Sequence, residues 1–192
     1  MPTDSVLIDV ILPRIDSKTK AIIRDIALVL GFAVLTAICS KLKIEIGPVP
    51  ITMQTFAVLI SGILLGSKKG ATSQLTYLLG GLAGIPWFSR GGGLIYVLSP
   101  TFGYMLGFVL AAYFVGYLAE RGWAKDIKTA ILTMFIGSVI IYIPGLLYLA
   151  KFIGLKSILI IGFYPFIFGD ILKIVLAGFL LPLILKNNYV QR

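Results

Sequence analysis

Asp170 and Lys173 lie three residues apart inside the apolar run from Phe163 to Leu185. That run is long enough to cross a bilayer as a helix, and i, i+3 spacing puts both side chains on one face. A charge near the bilayer centre costs about 2.5–3.5 kcal/mol on insertion scales, so such groups usually face a partner, a cavity or a ligand. The pair offers a hydrogen-bond acceptor and a donor, which suits capture of a small polar molecule within the membrane. The plainer alternative is that the two charges neutralise each other, or that Asp170 reaches water near a helix end. Four more side chains could join such a site. Arg90 is the one basic residue of a glycine-rich stretch, and its guanidinium suits a carboxylate. Trp87, close by, could stack on a flat or sulfur-containing ligand. Gln54 and Tyr142 would add polar contacts from two other apolar segments. Each also has an ordinary reading at the membrane interface, as a headgroup-touching cation or a belt residue.

The elements that must position these groups are helices in a membrane. Of the 192 residues, 58% are hydrophobic and only 13% charged, and mean hydropathy is +1.01. That is too little charge to cover a soluble globule of this size. The apolar stretches are long and continuous rather than short and alternating, which excludes a transmembrane β-barrel. The spacing predicts an all-α bundle of six transmembrane helices, over about 21–40, 51–66, 70–84, 101–119, 129–149 and 166–185. Segments two and three are short, as for tilted helices or ends recessed around a cavity. Gly47-Pro48-Val49-Pro50 breaks the chain before segment two. A bend is expected at Pro144-Gly145 in segment five. Residues 85–100 carry three consecutive glycines between prolines yet many apolar side chains. This combination predicts irregular backbone folded back over a binding site.

The net charge of +9 comes from scattered single and paired cations without a continuous basic stripe, so no nucleic-acid partner is expected. Those cations read as topology signals. Eleven Lys and Arg residues fall on one side of the six crossings and five on the other, placing both termini in the cytoplasm and the glycine-rich loop outside. The chain is therefore expected to be a multi-pass protein of a prokaryotic plasma membrane. Residues 1–20 are expected to be a cytoplasmic segment, amphipathic if helical, without a cleavable signal peptide. Residues 21–192 form a single substrate-binding domain. With one cysteine, Cys39, and no histidine, an internal disulfide is excluded and a metal or cofactor is not expected.

Small residues recur at four-residue spacing, as at Ala33 and Ala37, where helix backbones can approach closely. The Ala33/Ala37 pair sits on a segment with no polar group for a site, so it could dock another protein. The blocks Gly47-Pro48-Val49-Pro50-Ile51-Thr52-Met53-Gln54-Thr55, Gly80-Gly81-Leu82-Ala83-Gly84-Ile85-Pro86-Trp87-Phe88, Gly91-Gly92-Gly93 and Pro165-Phe166-Ile167-Phe168-Gly169-Asp170-Ile171-Leu172-Lys173 together resemble the BioY family. Members of that family are the biotin-specific S components of energy-coupling factor (ECF) transporters. The resemblance covers nearly all of residues 25–185.

It implies a membrane subunit that captures biotin from outside and works with a transmembrane coupling protein and two cytoplasmic ATPases. Asp170 and Lys173 match the family's acidic and basic pair needed for biotin, and Ala33-x-x-x-Ala37 resembles its docking motif. Gly137-Ser138 stands where relatives often carry Gly-Asn. Biotin would be a transported ligand rather than a cofactor, with ATP hydrolysis left to the partners. Its ureido N–H groups suit Asp170, its carboxylate Lys173 or Arg90, and its ring Trp87; which cation meets the carboxylate stays open. Two other readings compete: a solo secondary carrier or S component for a different vitamin, and a small integral-membrane enzyme. One membrane Asp and no His give an enzyme little to work with.

Overall fold

The computed structural model describes Ile8 and residues 17–189, with side chains described as far as residue 177. The expected surface helix within residues 1–20 therefore falls almost wholly outside the described residues. The first long helix, α1, spans Lys18–Lys41. A two-stranded antiparallel ribbon follows, β1 (Lys43–Ile44) against β2 (Ile51–Thr52), and Gly47 to Pro50 form its connecting loop. Helix α2 covers Gln54–Leu82, α3 Phe102–Glu120 and α4 Ile127–Ile153. A short α5 (Ile158–Gly162) leads into α6 (Tyr164–Tyr189).

The class expected from composition holds: a helical bundle made for a membrane. The count of six full-length helices does not. Four stretches among the described residues are long and apolar enough to cross a bilayer. The expected second and third segments are two arms of α2, folded back on each other at Gly66. There φ is +79° and ψ −179°, a conformation essentially confined to glycine. The fold-back shows in the pairings: Gln54 meets Tyr77, Ser61 meets Gln74, and a Cβ on Gly70 would lie 2.9 Å from the Gly62 Cα. Neither arm alone has membrane length, because the hairpin turns inside the chain's own packing. A second correction is the β1–β2 ribbon, too short to leave a period-2 signal.

Close backbone approach holds the bundle together. A Cβ on Gly62 would stand 2.6 Å from the Ala112 carbonyl of α3, and one on Gly107 would stand 2.8 Å from Ile141 of α4. In lipid there is little hydrophobic drive between helices, so such tight packing and internal hydrogen bonds carry the association. Gln74, fully buried, donates to Ser61 and to Thr36, and so joins α1 to both arms of α2. Outward, large apolar side chains such as Ile38, Phe135, Leu147 and Phe168 stay exposed, as a lipid-facing surface requires.

The lysine-rich ends meet at one end of the bundle. Lys69 pairs with Asp25 of α1 at 2.8 Å, and Glu120 accepts from the Ser67 amide at 2.7 Å and from its hydroxyl at 3.0 Å. Glu120 thus caps the second arm of α2 just after its turn. A carboxylate at a helix N-terminus satisfies an orphan donor and complements the dipole. Glu120→Ala is expected to destabilise the fold by about 1–2 kcal/mol, read as a lowered melting temperature in detergent, with Glu120→Gln intermediate.

Candidate binding site

At the opposite end, the β1–β2 loop, the start of α2 and the glycine-rich stretch cover a cavity of ≈ 520 Å³ between α2, α3, α4 and α6. The wall is mostly apolar and aromatic: Tyr104, Met105 and Phe108 from α3, Ile141 and Tyr142 from α4, Phe166 from α6. Tyr104 lies parallel to Phe166 at a centroid distance of 6.2 Å and edge-on to Tyr142 at 6.3 Å. Polar groups converge at one place. Lys173 Nζ donates to Thr55 Oγ1 at 2.9 Å and to Asp170 Oδ1 at 3.2 Å. The Thr55 hydroxyl donates in turn to Asp170, and the Tyr142 hydroxyl donates to the other Asp170 oxygen.

Asp170 is 7% exposed and Lys173 6%. Their i, i+3 pairing on α6 is as the spacing predicts, but the carboxylate is not bare. Lys173, Thr55 and Tyr142 line the cavity, while both oxygens of Asp170 already accept from those three residues. An ammonium has three donors. Two of Lys173's are engaged among the described residues, leaving one for a ligand acceptor.

Gln54 also lines the cavity, with its amide donating to Tyr77 at 2.7 Å and its oxygen accepting from Thr52. Trp87 and Arg90 do not line it. The Trp87 ring packs over Gly80 and lies 5.7 Å from the Tyr77 ring, one layer behind the wall. The aromatic surface over the cavity belongs instead to Tyr104, Tyr142 and Phe166. Arg90 is spent on the loops: its guanidinium pairs with Glu45 and donates to the Pro48 and Gly47 carbonyls at 3.1 Å. Lys41 and Lys43 act alike, donating to Phe88 and Ser89 carbonyls at 2.6 and 2.8 Å. Arg90 and Lys43 thus clamp the ribbon, and Lys41 the end of α1, to the glycine-rich stretch. Gly91 and Gly93 take φ of +128° and +96° there, so the chain turns back and brings Ser89 and Tyr96 to the cavity wall.

Ala33 and Ala37 are not on a free face. They are 0% and 8% exposed and share the inner stripe of α1 with Thr36 and Ser40, which bond to Gln74 and to the Trp87 carbonyl. Docking through that pair is therefore corrected: the chain's own helices already occupy it. The small residues four apart that α1 does expose are Ala27 and Gly31, and a Cβ on Gly31 would meet nothing within 4 Å.

Residues 14–189 match the BioY family. The chain belongs to the BioY family. Its relatives in that family include the "probable biotin transporter BioY" of Pyrococcus horikoshii, 38% identical over 78% of this chain and 89% of the relative. The "biotin transporter BioY" of Thermotoga maritima is 35% identical over 84% of this chain and 95% of its own. The fold is also that of a crystal structure of an S component for biotin from an ECF-type ABC transporter, with a TM-score of 0.78 and 22% identity over 88% of this chain and 95% of that one. Within this BioY chain, the residues that sequence reasoning passed over are Thr55, Tyr104, Met105, Phe108 and Phe166. Thr55 stands beside Gln54 in the Gly47–Thr55 block, and Phe166 in the Pro165–Lys173 block. Helix α3 is apolar on every side, so no periodicity marked its inner face.

The clamp has a pH dependence of known sign. Glu45's carboxyl is held down to about 2, chiefly by its hydrogen bonds from Arg90 and Lys43. A depressed carboxylate stabilises above its ordinary range near 4.5, and that contribution is lost as pH falls toward 2. A spin label at Leu94 is expected to keep constant mobility from pH 8 to 5 and to gain mobility below about 4, within the span between the two pKa values. Glu45→Gln should show the acid-state mobility at every pH.

Proposed function

We propose that this chain is the substrate-binding S component of an ATP-driven ECF importer, and that biotin is its ligand. The observation that carries the reading is the convergence of Lys173, Thr55 and Tyr142 on one apolar, aromatic cavity, with Asp170 holding all three. Family membership and the names of the relatives support the choice of ligand. The bicyclic ring of biotin enters first and lies between Tyr104, Tyr142 and Phe166. Its ureido carbonyl accepts from the remaining donor of Lys173. A ureido N–H donates to Tyr142 or, after the tyrosine hydroxyl turns away, directly to Asp170. The valerate carboxylate points to the mouth, where Lys43 and Arg90 supply positive potential, Arg90 from the clamp rather than by lining the cavity. Gln54 holds the floor beside Tyr77.

In this reading residues 21–192 act as one binding unit in the cell membrane. The lysine-rich end and both termini face the cytoplasm, as the distribution of cations favours. A transmembrane coupling protein and two cytoplasmic ATPases energise release. The exposed Ala27/Gly31 side of α1 suits the approach of a partner helix, because small residues admit close backbone contact. Equilibrium binding of radiolabelled biotin to the purified chain tests the ligand. Saturable one-to-one binding that unlabelled thiamine or riboflavin does not displace is expected. Absence of saturation, or displacement by another vitamin, would turn the assignment toward an S component of different specificity.

A further inference from the structure

A second cavity lies far from the binding site, at the lysine-rich end, between α1 and the second arm of α2. It is an open groove, with ≈ 860 Å³ of empty space including the solvent at its mouth. One wall is an apolar stripe of α1: Ile22, Ile26, Val29 and Leu30. The other is polar: Lys68, Lys69, Thr72 and Thr76. Two helices packed against each other in a membrane bring small residues, threonine included, or apolar faces into contact, and not lysines. Here an aliphatic stripe faces a row of lysines and threonines across open space.

The polarity runs along the groove. Lys68 and Lys69 sit at the hairpin end beside Ile22 and Asp25, and Thr76 and Leu30 lie eight residues deeper, about 12 Å at helical rise. The threonine hydroxyls donate to the Lys68 and Thr72 carbonyls at 2.8 Å, so they supply shape and the lysines supply charge. Lys69 is paired with Asp25. Lys68 is exposed and has no carboxylate partner among the described residues, leaving the groove a net positive charge. A ligand that fits must be anionic at one end and aliphatic beyond it.

We propose that this groove binds one anionic phospholipid, its phosphate at Lys68 and Lys69 and an acyl chain along Ile22, Ile26 and Leu30. Basic pockets between membrane helices at the headgroup level favour acidic lipids, and each nearby lysine strengthens the attraction. The site would fill from the leaflet that meets the lysine-rich end, independently of the ligand cavity at the other end.

The test uses the full chain in mixed micelles with dioleoyl-phosphatidylglycerol or dioleoyl-phosphatidylcholine, which share acyl chains, with bound lipid counted by native mass spectrometry. Wild type is expected to retain one phosphatidylglycerol per chain, in clear preference to phosphatidylcholine. Lys68→Gln should lower that retention about 5-fold. Val29→Trp, which fills the groove and leaves the lysines in place, should lower it as well. Size-exclusion profile and melting temperature report folding of each variant without reference to biotin. Equal retention of the two lipids would overturn the proposal, as would unchanged retention by Lys68→Gln. So would a folded Lys68→Gln variant that keeps its lipid but no longer co-purifies with a co-expressed membrane partner, which would give the groove to a protein.

Discussion

Lys173→Ala is expected to lower biotin affinity about 30- to 3,000-fold. Truncating one partner of a buried, hydrogen-bonded charge pair in a recognition site costs about 2–5 kcal/mol, much of it because the other charge is left unpaired, and each 1.4 kcal/mol is about tenfold in affinity. Here the loss has two parts. The cavity forfeits its one ammonium donor, and Asp170 is left holding only the hydroxyls of Thr55 and Tyr142. Asp170→Asn should cost less, about 10- to 150-fold, because the amide still accepts hydrogen bonds but a charged partner is gone. Tyr142→Phe separates positioning from contact: it removes one donor to Asp170 while leaving the ring against Tyr104 and Phe163. Isothermal or radioligand titration of monodisperse protein reads all three. Wild-type affinity in Lys173→Ala would remove this cluster from the site. Loss of the monodisperse fold together with binding would mark the pair as structural.

The two sides of α1 should answer substitution in opposite ways. Leucine at both Ala33 and Ala37 must enter a stripe that is 0% and 8% exposed. Overpacking costs about 1–3 kcal/mol at each such position. The double variant is therefore expected to lose thermal stability and biotin binding together. Leucine at Ala27 and Gly31 meets open space, so folding and equilibrium binding should stay near wild type. If this side receives the coupling protein, ATP-dependent biotin uptake by cells expressing the whole transporter should collapse for that variant although its binding is intact. Normal uptake with leucine at both positions would free the Ala27/Gly31 side from any docking role.

Part of this protein is legible in its sequence alone. Composition and continuous apolar stretches determine a helical membrane protein, since a backbone in lipid must satisfy its own hydrogen bonds and few alternatives exist. The i, i+3 spacing of Asp170 and Lys173 fixes their pairing, because helix geometry alone brings them to one face. Gly91-Gly92-Gly93 and its prolines determine irregular backbone between α2 and α3, since their dihedral preferences are local. The tertiary structure decided what those local rules leave open. Arg90 and Lys173 are both cations near the site, yet one clamps two loops and the other lines the cavity. That outcome depends on Glu45, 45 residues from Arg90 in the chain, whereas Lys173's partner lies one turn away. Trp87 and Tyr104 are both aromatic, and only packing across helices puts Tyr104 on the wall and Trp87 behind it. Ala33/Ala37 and Ala27/Gly31 share one spacing on one helix, and which pair is buried follows from where α2 folds back at Gly66. Helix α3 is the limiting case: apolar all round, it carries no periodic mark of an inside, and its contribution to the cavity exists only once α2, α4 and α6 surround it.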